Sequence, residues 1–124
     1  METRKKILLV DDDRRNIFAL NAVLKARGYH CETASNAYEG LEKLHDDEDI
    51  GIILMDVMMP GMDGFEAIAN IRNNPRTASI PVIAVTAQAM VGDRERCLAA
   101  GANGYVSKPV DVDLLMELLT SYLN

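Results

Sequence analysis

Four carboxylates, a threonine hydroxyl and a lysine amine stand where apolar runs of this chain end. Asp11, Asp12 and Asp13 follow KILLV (Lys6–Val10), and Asp56 closes IGIILMD (Ile50–Asp56). Thr86 closes IPVIAVT (Ile80–Thr86), and Lys108 closes GYVSK (Gly104–Lys108), with Pro109 next. Carboxylates brought together repel, which raises some of their pKa values and costs stability. A hard divalent cation removes that penalty. Magnesium takes oxygen ligands in near-octahedral geometry and keeps several waters. Asp11, Asp12 and Asp56 therefore read as a half-built Mg2+ site. A lysine and a hydroxyl nearby could hold an anion beside the metal, and phosphoryl transfer needs mainly such positioning and charge neutralisation.

That chemistry requires the run ends to meet, so the elements between them matter. Each apolar run reads as a buried strand, and YHCETA (Tyr29–Ala34) alternates like a strand near a sheet edge. Between them lie helical patterns. NIFALNAVLKARG has Ile17, Leu20, Val23 and Leu24 at helical spacing and Gly28 as a stop. Asn36 with Glu39, and Asp63 with Glu66, look like caps opening the second and third helices. Pro75 ends the third. VGDRERCLAAGA is a fourth helix stopped by Gly101, and VDLLMELLTSYL closes the chain as an amphipathic fifth. Strand then helix, five times over, implies a five-stranded parallel α/β sheet with helices on both faces and right-handed crossovers. Ligands of such sheets bind beyond the carboxyl ends of the strands, near the point where strand order reverses. The first, third, fourth and fifth strands can be neighbours there, which would gather all the polar ends on one edge.

The loop after the first strand is DDDRRN rather than a Gly-rich phosphate cradle. It would repel a bare phosphate and attract a cation, which argues against a nucleotide or flavin site at that position. The chain's 124 residues fit one domain, and its apolar share of 48% supplies a core. A net charge of −6 argues against a nucleic-acid surface. No apolar run approaches the roughly 18–20 residues of a membrane span, and the start METRKKILLV is too short in apolar residues for a signal peptide. Cys31 and Cys97 sit in no metal-ligand spacing and read as buried thiols of a reducing compartment. Met55 reads as core, Met59 and Met62 as loop packing, His30 and His45 as structural or exposed, and HDDED (His45–Asp49) as a solvated loop.

Four motifs in order, LLVDDD, ILMDVMMPGMDG, VIAVTA and YVSKP, resemble the receiver domain of two-component response regulators. The likeness runs from about Lys5 to Leu123, with Thr86 30 positions after Asp56 and Lys108 52 after it. It implies a single flavodoxin-like (β/α)5 domain over residues 1–124, with strand order 2-1-3-4-5 and no output domain. It further implies that Asp56 accepts a phosphoryl group from a phosphohistidine of a histidine kinase or phosphotransfer protein. Asp11 and Asp12 would bind Mg2+, for which Mn2+ could substitute, together with Asp56 and the backbone carbonyl of Met58. Lys108 would pair with the phosphoryl group, the peptide before Pro109 would be cis, and Pro60, Gly61 and Gly64 would shape the loop over the site. Thr86 would move onto the phosphoryl oxygen and Tyr105 would turn inward as the aromatic switch. The face of the fourth helix, fifth strand and fifth helix would then meet a downstream protein or attached domain.

Met58 and Gln88 occupy the family's rate-tuning positions. A thioether cannot position an attacking water, so a fairly long-lived phosphoaspartate is expected. Asp13 could assist the metal through water or face solvent. The wording DDDRRNIFAL and TAQAMVGDRERCLAAGA is similar to receivers of hybrid histidine kinases. The expected location is the cytoplasm, or the cytoplasmic part of a membrane-bound hybrid kinase. Two rivals remain at this point. A Mg2+-dependent phosphatase of the haloacid dehalogenase kind would need a second acid two positions after its nucleophile, where this chain has Met58. A non-phosphorylated pseudo-receiver would lack the acceptor, the acid pair or the lysine, and all are present. On this reading the chain is not an enzyme acting on free substrates, although it would catalyse its own phosphorylation and dephosphorylation.

Overall fold

A computed structural model describes residues 6–59, 61–87 and 92–123. Five strands and five helices alternate along the chain: β1 (Lys6–Val10), α1 (Arg14–Ala26), β2 (His30–Ala34), α2 (Ala37–Asp46), β3 (Ile50–Asp56), α3 (Gly64–Asn73), β4 (Val82–Thr86), α4 (Asp93–Ala100), β5 (Gly104–Ser107) and α5 (Val112–Leu123). The strands form one parallel sheet in the order β2-β1-β3-β4-β5. The order reverses beside β1, so the carboxyl ends of β1 and β3 flank the switch point where such sheets place ligands.

All seven residues of β3 are buried, as a central parallel strand covered on both faces requires. Successive side chains alternate between two cores. Leu8, Val10, Ile53, Met55 and Ala84 pack with Leu44 of α2, Ala67, Ile68 and Ile71 of α3, and Cys97 of α4. Ile7, Leu9, Ile52, Leu54 and Val85 pack on the other face with Leu20 and Leu24 of α1 and Leu115 and Leu119 of α5. β2 is an edge strand, as expected, but its burial does not alternate: it runs from exposed His30 through half-buried Cys31, Glu32 and Thr33 to buried Ala34.

Helix ends follow their capping chemistry. Asp63 and Glu66 form the expected capping box at the start of α3. At α2 only half of that pattern forms: the Asn36 side chain accepts the Glu39 N–H, while the Glu39 carboxylate takes the Ser35 N–H at 2.8 Å and its hydroxyl at 3.0 Å. α1 begins at Arg14, earlier than the apolar pattern from Asn16 suggests, because the Asp13 side chain caps it by accepting the Arg15 and Asn16 N–H groups. Past its end, Gly28 takes a left-handed φ of 91°. The β4 ladder starts at Val82 rather than Ile80, since Pro81 has no N–H to give. Its carbonyl still accepts the Ile53 N–H at 3.0 Å. α4 was expected from Val91, which lies outside the described residues, as do Pro60 and Gln88.

At the amino end of β4, the Arg72 guanidinium of α3 donates to the carbonyls of Gly101, Ala78 and Ile80 and to the Asn103 side chain, at 2.7–3.0 Å. Asn103 also receives the Val82 N–H on its side chain and gives its own N–H to the Val82 carbonyl. The acidic stretch after α2 is less free than expected: Asp47 accepts from Lys6 Nζ at 2.7 Å. Neither cysteine is in a disulfide; Cys97 is buried and Cys31 half-buried. His30 and His45 are exposed, Met55 and Met59 are buried, and Met62 packs against the first core.

The loop after β3 closes on itself where the Gly64 N–H meets the Val57 carbonyl at 3.2 Å. A Cβ on Gly64 would fall 2.5 Å from Val57 Cα and 2.8 Å from the Asp56 carbonyl, both backbone atoms that cannot step aside. Gly64→Ala is therefore expected to cost about 1–3 kcal/mol. Urea unfolding should read this as a lower midpoint at unchanged slope, and a wild-type midpoint would contradict the packing described.

Candidate functional site

The strand register brings the polar run ends together. Asp11 follows β1 directly and continues its pairing, with its N–H on the Ala34 carbonyl at 3.1 Å. Asp56 is the last residue of β3, and Val57 beyond it still pairs with the Val85 carbonyl at 3.1 Å. Thr86 ends β4 opposite Ser107 of β5, and its carbonyl accepts the Lys108 N–H at 2.7 Å. Lys108 is thereby fixed to the end of β4 as well as of β5. The Lys108–Pro109 peptide is cis.

One carboxylate oxygen each from Asp11, Asp12 and Asp56 lies within 4.8 Å of the others. Asp11 and Asp56 are buried, 5% and 3% exposed, while Asp12 is open to solvent. Asp56 Oδ1 accepts the Met58 N–H at 3.1 Å, and its Oδ2 lies 3.6 Å from Lys108 Nζ. The same ammonium is 3.0 Å from Asp11 Oδ2. Asp11 has two further donors: the Asp13 N–H on Oδ1 at 2.9 Å and the Asn16 side-chain amide on Oδ2 at 2.6 Å. Asn16 was not singled out from the sequence. Its signal is spacing, five residues after Asp11 and in the first turn of α1, which returns it to the strand end. Asp13 lends its N–H to Asp11 and its carboxylate to the helix cap.

These contacts push the two buried acids apart. Burial favours the neutral form of Asp11, but the Asp13 N–H and the hydrogen bonds from Lys108 and Asn16 outweigh it and hold the carboxyl below its ordinary value. Asp56 is raised to about 6, by burial first and by the charge of Asp11, against the Met58 N–H. Burial alone would lower Lys108, yet its hydrogen bond to Asp11 and the charge of Asp56 leave it raised. One ammonium shared by two buried carboxylates, with an oxygen of a third carboxylate within 4.8 Å of theirs, leaves negative charge uncompensated. A donor set of three carboxylate oxygens, with no nitrogen or sulfur, suits a small hard cation.

The other expected residues group around this centre. Thr86 is buried at 1% exposure beside it. Tyr105 is half-buried on β5, in register with Ala84, and packs against the first core. Gly61 lies on the exposed loop after β3, within reach of Tyr38 of α2. Met58 is 51% exposed. A groove of about 390 Å³ runs from Asp11 between α1 and the start of α2, past Phe18, which is 77% exposed. Among the described residues, no helix is long and apolar enough to cross a membrane.

A family model described as the response regulator receiver domain matches residues 7–120. The chain is 36% identical over 116 residues to the signal transduction histidine-protein kinase BarA of Escherichia coli K12, covering 94% of this chain but 12% of that one. It thus spans a small part of the length of that relative. The polar-differentiation response regulator DivK of Brucella anthropi is 34% identical over 119 residues, 96% of each chain. Among solved structures, the receiver domain of the sensor histidine kinase PA1611 from Pseudomonas aeruginosa PAO1, with a magnesium ion coordinated in its active-site cleft, superposes with a TM-score of 0.87. It is 34% identical, with 96% of this chain and 97% of that one covered.

In metal-free buffer the raised pKa of Asp56 has a signed consequence. The folded protein binds that proton more tightly than the unfolded chain, so the stabilisation it gives is complete below the ordinary value of 3.8 and is lost as pH rises through about 6. Asp56→Asn, which cannot ionise, should be more stable than wild type at pH 8, by on the order of 1–3 kcal/mol. That advantage should fade by pH 4. Thermal unfolding in EDTA at both pH values measures it, and an equal difference at both would contradict it.

Proposed function

The chain belongs to the response regulator receiver domain family, and we propose that Asp56 is the phosphoryl acceptor through which it acts as a signalling switch. The observation that carries this reading is a buried carboxylate at a strand end, with two further carboxylate ligand atoms within 4.8 Å and an ammonium at 3.6 Å. Asp56 attacks the phosphorus of a phosphohistidine; a P–O bond forms, the P–N bond breaks, and the imidazole leaves as the neutral base after taking a proton. Asp11, Asp12, Asp56 and the Met58 carbonyl would hold Mg2+, which supplies neutralisation of the charge on the phosphoryl oxygens. Lys108 leaves the carboxylates to pair with the new anion. The β-strand stalks keep acceptor and donors in place, so the step is mainly one of positioning. The donor would be a histidine kinase or phosphotransfer protein. The exposed Phe18 beside the Asp11 groove offers its helix an apolar contact.

Switching follows as a population shift. Thr86, buried at the end of β4, moves its hydroxyl to the phosphoryl oxygen, and Tyr105 turns into the space vacated. The face of α4, β5 and α5 then changes its affinity for a downstream protein or attached domain. Such a receiver catalyses its own phosphorylation and dephosphorylation and turns over no free substrate. Its place would be the cytoplasm, or the cytoplasmic side of a hybrid kinase.

Intact-mass measurement after incubation with acetyl phosphate and Mg2+ should show a gain of about 80 Da, one phosphoryl group, absent in Asp56→Asn. Decay of that species should take well beyond seconds, because the Met58 thioether positions no attacking water. No gain with any phosphodonor, together with poor Mg2+ binding, would remove the reading. Thr86→Ala should gain the same mass, while its affinity for the downstream partner no longer changes on phosphorylation. A wild-type affinity change in that variant would exclude Thr86 as the reporter.

A further inference from the structure

We propose that Asn16 sets the cation preference of the acidic centre, by restricting Asp11 to one-point contact that suits Mg2+ and disfavours Ca2+. The inference rests on the metal-binding reading given above. A carboxylate has two oxygens and about four lone-pair directions. On Asp11, Oδ2 accepts Asn16 Nδ2 at 2.6 Å and Lys108 Nζ at 3.0 Å, which fills it. Oδ1 accepts the Asp13 N–H at 2.9 Å and keeps one direction open. Asp11 is 5% exposed and is held in place by these three donors. It can therefore meet a cation, or a water on that cation, at one point. Chelation through both oxygens would require a bond on Oδ2 to break.

The two cations differ in what they ask of a carboxylate. Magnesium demands near-ideal octahedral geometry, keeps waters and takes few protein oxygens. Calcium collects roughly six to eight oxygens and readily takes a carboxylate through both of its own. Fixing Asp11 in one-point contact costs magnesium nothing and denies calcium a ligand.

Of the two donors on Oδ2, Asn16 is the dependable one. Lys108 is shared with Asp56 at 3.6 Å and sits on a long, flexible stem, so a nearby cation repels it and an anion draws it away. The Asn16 amide is neutral and short. It is seated in a turn that Asp13 fixes by accepting the N–H groups of Arg15 and Asn16 at 2.9 and 3.4 Å. Asp13 thus supports Asp11 twice, through its own N–H and through the turn that presents Asn16. Asn16 acts through Asp11 and is a positioning residue.

Calorimetric titration with Mg2+ and with Ca2+, on wild type, Asn16→Ala and Asn16→Leu, tests this. Leucine keeps the approximate shape and removes the donor, so the pair separates hydrogen bonding from packing. Thermal unfolding in EDTA identifies the variants that fold. Loss of a supporting partner typically weakens a metal site about 10–100-fold. In both variants Mg2+ affinity should fall about tenfold while Ca2+ affinity holds or rises, so that the preference for Mg2+ narrows by at least that factor. Equal weakening for both ions, or an unchanged preference in either folded variant, overturns the inference and leaves the metal site standing. Absence of Mg2+ binding to wild type overturns the metal reading and this inference with it.

Discussion

Like charges repel most where water cannot screen them. This chain holds carboxylate oxygens of three residues within 4.8 Å, two of those residues almost fully buried. No local feature of the loops could sustain that. The strands do it: β1 and β3 lie side by side with apolar residues on both faces, and their ends arrive together whatever the repulsion between the acids they carry. Burial of the sheet stabilises the arrangement, and Lys108 and the amides of Asp13, Met58 and Asn16 offset part of the electrostatic cost. What they leave uncompensated is negative charge, the feature on which the proposed cation and phosphoryl binding rests. The electrostatic cost in the resting protein and the reaction proposed for it have one origin.

The division of labour between Asp11 and Asp56 follows from the same constraint. Both are buried, both lie near Lys108, yet their proton affinities shift in opposite directions. Among the described residues Asp11 collects three donors and stays ionised, while Asp56 has one backbone donor, a more distant Lys108 and the negative neighbour. Environment alone makes one acid a fixed anchor and leaves the other under-solvated, which suits the acceptor role proposed for Asp56.

Much of this was legible because it is written in periodicity. Continuous apolar runs such as Ile50–Asp56 announce buried strands, and the acids at their ends can only meet on one edge of a parallel sheet. The capping box of Asp63 with Glu66 was equally plain, since cap chemistry is local. The support around Asp11 was not. Asp13 read as a third acid beside a metal site, yet it caps a helix that starts before its apolar pattern does. Asn16 read as the first letter of that pattern. Its partner lies across a loop, and hydrogen bonds between side chains leave no period in a sequence. The guanidinium fork of Arg72 escaped notice for the same reason, because its acceptors are mostly backbone carbonyls scattered over Ala78–Asn103.

That fork sits at the end of β4 opposite Thr86. Arg72 and Asn103 tie the amino ends of β4 and β5, the end of α3 and the turn after α4 into one knot. Tied at that end and paired with β3 and β5 along its length, β4 cannot slide past its neighbours. β4 runs about 3.3 Å per residue from that knot to Thr86, so the knot and the charged rim lie at opposite ends of one strand. Mechanically, the sheet is anchored at the end opposite the charges, as far from them as the strand allows.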